Sequence, residues 1–224
     1  MIASNQFSRE LLKQYLIEGK FSNEALFQLY VVQTKAYIFQ NRTHGAIEEM
    51  QFRSAFAQAT GLTLNEIFIV GSAQTGFSIK PSAPLREFDE LFRETNLRSD
   101  KSDVDVAIVS ASYFDKIHRA IRSFTNGFTK TWETNIYYPT AAKRQHWTVP
   151  RVDSNFYHYF AKGWFRPDLT PDGFQLEYSK VMSDWKNRLD RKVSIGIYKE
   201  WFNLKEYQLQ AFEQLKQSAL KGLL

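Results

Sequence analysis

The spacing of apolar residues predicts helices in the first third of the chain. Five of these residues recur with helical periodicity near the N-terminus: Phe7, Leu11, Leu12, Tyr15 and Leu16. A second helix is expected to begin after Ser22, which suits an N-cap, and a third to cover residues 46–60 and end at Gly61. Residues 1–62 are therefore interpreted as an N-terminal helical layer.

The pattern changes after Glu66. The short apolar run Ile67–Val70 predicts a strand that is buried on both faces. A second strand is predicted over residues 103–109, and its alternation places Asp103, Asp105, Ala107 and Val109 on one face. An amphipathic helix follows, marked by Phe114, Ile117, Ile121 and Phe124. Strand, turn, strand and helix together indicate a mixed α/β core.

The last third adds a helix, a strand and a helix. An apolar stripe over residues 174–185 predicts the first helix, and residues 193–198 read as a strand. Asn203 with Glu206 resembles a capping box that opens the last helix. We therefore expect an α/β (α+β) fold: a mixed sheet flanked by helices, with a C-terminal helix. Residues 63–224 would form the core, with an insertion at 81–101 and an aromatic-rich segment at 128–172.

Composition narrows the possible chemistry. The 224 residues contain no cysteine, and the four histidines show no zinc-ligand spacing, so any metal has to rest mainly on carboxylates. No apolar stretch is long enough to cross a membrane, and the N-terminal residues carry charges where a signal peptide is apolar. These features predict a soluble, cytoplasmic protein. The net charge of +5 suits an anionic partner such as a nucleotide or RNA, and equally an ordinary solvated surface.

The turn after the first predicted strand has the chemistry of a phosphate site. Backbone N–H groups are exposed where a buried strand ends, and Gly71 lets a phosphate approach closely. The Ser72 hydroxyl can donate to a phosphate oxygen, and Lys80 follows closely enough to reach one. Gly71, Ser72 and Lys80 are therefore the candidate nucleotide-binding residues.

The second predicted strand carries paired carboxylates. Asp103 and Asp105 are two positions apart on one face, which separates their Cα atoms by about 6.6–6.8 Å. Their side chains can converge on a hard cation such as Mg²⁺. The ion would neutralise a triphosphate and align a nucleophile with the α-phosphorus. Asp103 and Asp105 are therefore the candidate metal ligands and catalytic residues.

Together the two segments resemble a known pair of motifs. Residues 70–76 (VGSAQTG) and 102–109 (SDVDVAIV) are similar to the opening motifs of the DNA polymerase β-like nucleotidyltransferase superfamily, including minimal nucleotidyltransferases and the cyclic-oligonucleotide synthases of bacterial antiphage systems. The resemblance covers residues 66–109. It implies a nucleotidyltransferase-type sheet, phosphate contacts from Gly71 and Ser72, and two catalytic Mg²⁺ ions on Asp103 and Asp105.

The chain departs from this family at two places. Residues 73–102 make a longer spacer than in minimal members, and the extra length contains a helical pattern that starts at Pro84. This insertion could be a lid, a partner-docking element or a surface excursion. The family also places a third carboxylate on a later strand, and strand 193–198 has no acid. Asp153 is a weak candidate for that role; weaker ones are Glu177, Asp190 and Glu200.

These patterns lead to one main functional prediction and three rivals. The main prediction is an enzyme that uses magnesium and ATP or another NTP to transfer NMP to a hydroxyl of RNA, protein or nucleotide. The first rival is a weak or inactive nucleotidyltransferase-fold subunit bound to a partner protein in a toxin-antitoxin or antiphage defence complex. A second is an RNA-binding module built on the aromatic segment, which is interspersed with Lys143, Arg144 and Arg151. The third is an α/β domain without this chemistry.

Overall fold

A computed structural model describes residues 8–128, 132–133, 148–149, 154–171 and 173–224. The helices are α1 (Arg9–Glu18), α2 (Asn23–Phe27, continued by a π-helical turn Gln28–Val32), α3 (Tyr37–Gln40), α4 (Gly45–Thr60), α5 (Ser72–Thr75), α6 (Glu90–Thr95), α7 (Ala111–Phe124), α8 (Ser154–Ala161), α9 (Ser179–Leu189) and α10 (Trp201–Leu220). Short 3₁₀ turns cover Leu64–Glu66, Arg98–Asp100 and Pro167–Leu169. The strands are β1 (Ile67–Val70), β2 (Val104–Val109), β3 (Trp132–Glu133), β4 (Thr148–Val149), β5 (Trp164–Phe165) and β6 (Val193–Tyr198).

Four strands form one mixed sheet in the order β1-β2-β6-β5, and β3 pairs with β4 separately. Strand β2 is antiparallel to β1 and parallel to β6, which is itself antiparallel to β5. The three strands predicted from apolar runs are therefore confirmed, and they lie side by side. The prediction of a mixed sheet with helices against it is confirmed as well.

Helices cover both faces of this sheet. Alternate residues of β1, β2 and β6 point to one face and join a core with α3, α4, α7, α8 and α9, which contains Ile67, Ile69, Val104, Val106, Ile108, Val193, Ile195 and Ile197. The opposite face packs against α1, α2 and α10 through Val70, Ala107 and Tyr198. Asp105 lies between Val104 and Val106 in β2 and therefore points to the opposite face, the one covered by α1, α2 and α10.

Several helices begin or end at capping residues, which satisfy the unpaired backbone groups of the terminal turns or adopt the backbone conformation that ends a helix. The Ser22 hydroxyl accepts a hydrogen bond from the Ala25 N–H at 3.1 Å, which confirms the predicted N-cap of α2. Gly61 follows α4 in the left-handed region (φ 71°), as expected for a glycine that ends a helix. The helices of residues 8–62 contact both sheet faces, since α1 and α2 pack on α10 whereas α4 packs on α9 and β1. The domain boundary at residue 62 stays a prediction.

Two helix starts differ from the sequence-based expectations. The helix predicted from Pro84 was wrong: α6 begins at Glu90, because Leu85 (φ 56°) and Asp89 (φ 61°) adopt left-handed backbone. The last helix begins at Trp201 rather than at Asn203. Its capping box joins Glu200 with Asn203, whose side chain accepts from the Glu200 N–H at 3.0 Å.

The described part of the chain contains no helix that is both long and apolar enough to span a membrane.

Candidate functional site

The turn after β1 is built on Gly71. This residue has φ 68° and ψ −156°, a backbone conformation almost restricted to glycine. Its carbonyl oxygen accepts from the N–H groups of Gln74 (3.0 Å) and Thr75 (3.1 Å), which form the short helix α5. The buried Gln74 side chain donates to the Thr34 carbonyl at 2.8 Å and ties the turn to the end of the π-helical segment. The turn is therefore held from both sides.

Gly71 also lies directly against Asp105. The antiparallel register pairs Val70 with Asp105, so the residue after the strand reaches the carboxylate. A Cβ atom on Gly71 would be 2.9 Å from Asp105 Oδ2, which is too close for an ordinary contact. The absence of a side chain is what lets the turn and the carboxylate meet. The structure thus brings together the two sequence motifs, which are more than 30 residues apart in the chain.

Asp103 and Asp105 face the same side of the sheet, and each lies near one lysine. Asp103 immediately precedes β2, and its Oδ2 is 3.0 Å from Lys192 Nζ. Asp105 lies within β2, and its Oδ2 is 3.8 Å from Lys80 Nζ, an ion-pair distance without a hydrogen bond. Both carboxylates are partly accessible, with exposed side-chain fractions of 38% and 32%. A ligand in solvent can reach them.

The environment of Asp105 disfavours its charged form. Burial is the main cause that raises the pKa of this carboxyl above its usual value, and the neighbouring charge of Asp103 acts in the same direction. The ammonium groups of Lys80 and Lys192 oppose this rise. A cation placed between the two carboxylates would remove their mutual repulsion, but it would meet two ammonium groups that already lie beside them.

Among the residues that the structure describes, the strand β6 beside this pair supplies no third carboxylate. The parallel register places Ser194 next to Asp105 and Gly196 next to Ala107. The backbone of Lys192 accepts from the Val104 N–H at 2.9 Å, so Lys192 takes the position beside Asp103. No cluster of three or more Asp, Glu, His or Cys side chains able to hold a metal occurs within the described residues.

Three of the four acids considered for that role have other partners or positions in the structure. Glu177 pairs with Lys116 at 2.5 Å, Asp190 pairs with Arg98 and with Lys101, and Glu200 caps α10. Asp153 lies outside the described residues. Ser194 of β6 and Lys192, which precedes β6, therefore take the positions where the resemblance implies an acid.

Lys80 lies near Asp105 and Ser72 follows Gly71, and their predicted contact with a phosphate stays a prediction. Lys80 is 62% exposed in its side chain and reaches toward Asp105 from the start of the inserted segment. Ser72 is half-buried, and its hydroxyl has no hydrogen-bond partner among the residues that the structure describes. Both groups are available to a ligand that reaches Gly71.

Sequence reasoning missed Lys192 and two tyrosines. Lys192 precedes β6, and only the pairing of β6 with β2 shows that it lies beside Asp103. Tyr198 at the end of β6 and Tyr207 on α10 lie close enough for the charge of Asp105 to contribute to their raised pKa values, although burial is the larger cause. The sequence signal for Lys192 was its position as a basic residue just before the apolar run 193–198.

Most described rings of the aromatic segment pack against the fold, although Tyr157 is 48% exposed. Trp164 stacks on Tyr198, with ring centroids 5.7 Å apart and planes 9° apart, and Phe156 stacks on the Phe160 ring at 5.3 Å. Phe156 is only 2% exposed. These rings serve the core, whereas Lys143, Arg144 and Arg151 lie outside the described residues.

Comparison with known proteins found no matching family, no similar curated protein and no similar solved structure.

Proposed function

We propose that this chain binds a nucleoside triphosphate together with Mg²⁺ and transfers its NMP group to a hydroxyl, in a nucleotidyltransferase-type fold. One observation carries the proposal: Gly71 lies against the carboxylate of Asp105, so a phosphate-binding turn and a metal-binding pair share one accessible edge. The order of the two motifs along the chain, which resembles that of the nucleotidyltransferase superfamily, also supports the proposal.

The donor set fits a magnesium ion that is shared with the nucleotide. Carboxylate oxygens are ligands that Mg²⁺ prefers, and the ion keeps several waters or phosphate oxygens in its octahedral shell. Two carboxylates, without a third acid nearby in the described chain, supply too few ligands for a cage made of protein alone. When bound, the ion would polarise the α-phosphate and offset the developing negative charge. Asp103 and Asp105 would hold it.

The remaining residues would bind and orient the triphosphate. The unpartnered Ser72 hydroxyl can donate to a phosphate oxygen, while the absent Gly71 side chain leaves room for close approach. Lys80 and Lys192 are exposed ammonium groups that can turn from the carboxylates toward phosphate oxygens. In this way the protein would position the leaving pyrophosphate relative to the attacking hydroxyl.

The test uses radiolabelled transfer with matched variants. Purified protein is incubated with α-labelled NTPs, Mg²⁺ and either RNA, free nucleotide or the protein itself as acceptor. We expect labelled product from the native chain and a loss of about a hundred-fold or more in Asp103→Ala and Asp105→Ala, because several kcal/mol of charge stabilisation disappear.

The control is Asp115→Ala. Asp115 also pairs with a lysine (Lys199, 3.4 Å) and is similarly exposed, but it lies on α7. Its loss is expected to leave transfer unchanged. Labelling that persists in both Asp103→Ala and Asp105→Ala would refute the assigned roles.

A second candidate is supported by Ser194 and Lys192. Because these residues take the positions beside Asp105 and Asp103, nothing in the described chain is placed to activate the attacking hydroxyl as a third carboxylate would. The alternative is a nucleotide-binding subunit that transfers nothing by itself and acts with a partner protein. Calorimetric binding of a metal-nucleotide complex without turnover for any acceptor supports this candidate, whereas turnover by the isolated chain excludes it.

A further inference from the structure

The inserted segment is attached to the starts of two central strands through Asp89, Ser102 and Arg191. Arg191 donates from both terminal nitrogens to the Asp89 carboxylate, at 2.9 and 3.0 Å. The same guanidinium donates to the Ser102 carbonyl at 3.1 Å. Asp89 also receives the Ser102 N–H at 2.9 Å, and its own N–H donates to the Ser102 hydroxyl at 2.9 Å. Every polar group of Ser102 is thus bonded within this set.

The set is sheltered from solvent. The side chains of Arg191 and Asp89 are only 13% and 19% exposed, the lowest values for both partners of any ion pair in the described chain. The guanidinium also lies over the Phe88 ring, 4.7 Å from its centroid, and Phe88 is buried. The planar Arg191 guanidinium makes a bidentate contact with Asp89, donates to a carbonyl and lies over a ring, so it has little freedom to rotate.

Two members of the set, Ser102 and Arg191, each adjoin a charged residue of the proposed site. Ser102 precedes Asp103, and Arg191 precedes Lys192. The next pair along the strands, Val104 and Lys192, is joined by a backbone hydrogen bond of 2.9 Å. The contacts of Ser102 and Arg191 therefore extend the β2–β6 register past the strand ends, where Asp103 and Lys192 would otherwise fray.

We propose that the Asp89–Arg191 pair is a positioning device that holds the Asp103 carboxylate beside Asp105 for metal-nucleotide binding. The inference rests on the proposed function for the role of Asp103. It assigns the inserted segment a specific task, because Asp89 is supplied by that segment and adopts a left-handed backbone (φ 61°) to reach Ser102. The segment thus braces the edge of the site through Asp89.

The variant that tests this is Arg191→Lys, which keeps the positive charge and loses the bidentate contact with Asp89. Mn²⁺ is titrated in the presence of a non-hydrolysable α,β-methylene NTP. The analogue used is the one, among the four bases, that the native chain binds most tightly. We expect Mn²⁺ affinity to fall by about tenfold, the lower part of the range seen when groups that orient metal ligands are removed. Nucleotide affinity without metal is expected to fall less than Mn²⁺ affinity, because Lys192 is one of several proposed phosphate contacts whereas Asp103 is one of only two proposed metal ligands.

The matched control is Arg93→Lys. Arg93 belongs to the same inserted segment, pairs with Glu87 at 2.6 Å and donates to the Phe88 carbonyl at 3.0 Å, but the hydrogen bonds among Asp89, Ser102 and Arg191 do not include it. Asp89→Asn supplies a second test, since its amide oxygen can still accept from Ser102 while the charge is lost. Melting temperatures show that each variant is folded at the titration temperature.

Hydrogen exchange at the Ser102 and Val104 amides provides a readout that does not depend on nucleotide. Faster exchange in Arg191→Lys than in Arg93→Lys is the expected result. Equal Mn²⁺ affinity in native protein, Arg191→Lys and Asp89→Asn would overturn the inference. If the native chain binds no Mn²⁺-nucleotide, the proposed function fails, and exchange at Ser102 then decides whether the brace exists.

Discussion

Replacing Gly71 by alanine should both destabilise the fold and disturb the proposed metal site. Gly71 combines φ 68° with ψ −156°, and residues with a Cβ atom reach this region only at a cost of about 1–3 kcal/mol. The new methyl group would also lie 2.9 Å from Asp105 Oδ2. Since a carboxylate can rotate, this contact adds little to the free-energy cost, but it turns Asp105 away from its position beside Asp103.

The expected loss is about 2 kcal/mol in the free energy of unfolding, the middle of that range. For a chain of this length it corresponds to a fall in melting temperature of about 4–8 °C. Gly61→Ala is the matched control, because Gly61 has φ 71° and ψ 26° with nothing within 4 Å of a new Cβ atom. An ordinary left-handed residue costs about 1 kcal/mol, so its melting temperature should fall by about half as much.

Thermal unfolding and Mn²⁺-nucleotide titration of both variants test the expected effects on stability and on binding. Gly71→Ala is expected to weaken Mn²⁺-nucleotide binding at least tenfold, whereas Gly61→Ala leaves it unchanged. Equal melting temperatures and equal affinities in the two variants would refute the argument, since they would show that neither the backbone of Gly71 nor its approach to Asp105 matters.

Two further predictions concern charge. Burial raises the pKa of Glu66, but hydrogen bonds from Thr63 and Ser110 outweigh it and lower the pKa below 4.5. Glu66→Gln should therefore have a lower free energy of unfolding than the native chain at pH 7, as measured with urea. The difference should vanish as the pH falls below 4.5 through the lowered pKa. A difference that stays constant with pH would contradict this. Ser194→Asp adds a carboxylate about 4.8 Å across the sheet from Asp105. It should cost about 1–3 kcal/mol in EDTA, and Mn²⁺ should restore the melting temperature, whereas Ser194→Asn should show no metal dependence.

The central strands could be predicted because local pattern and burial agree there. The apolar run Ile67–Val70 corresponds to an edge strand and the alternation in Val104–Val109 to an inner strand, and in both most side chains are buried because helices cover the sheet. The N-cap at Ser22 is likewise a local feature, since its hydroxyl bonds to a residue three positions away. Where the determinants lie within a few residues, the sequence was sufficient.

The inserted segment could not be predicted in this way. Its apolar spacing from Pro84 suits a helix, but Asp89 is drawn into left-handed backbone by hydrogen bonds to Ser102 and Arg191, which are 13 and 102 positions away. Tertiary contacts therefore override the local preference. The same holds for the site: Lys192 is unremarkable in the chain and acquires a role only because β6 pairs in parallel with β2.

The charge arrangement at the site favours a metal that arrives with its nucleotide. In the structure the two carboxylates of Asp103 and Asp105 are balanced by the ammonium groups of Lys192 and Lys80. A free divalent ion would meet this balanced set and would have to displace two lysines. A triphosphate supplies the negative charge that the lysines can pair with instead, and this frees both carboxylates for the ion. Under the proposed function, Lys80 and Lys192 thus couple nucleotide binding to metal binding, so a site with only two acids can still hold a metal-nucleotide complex.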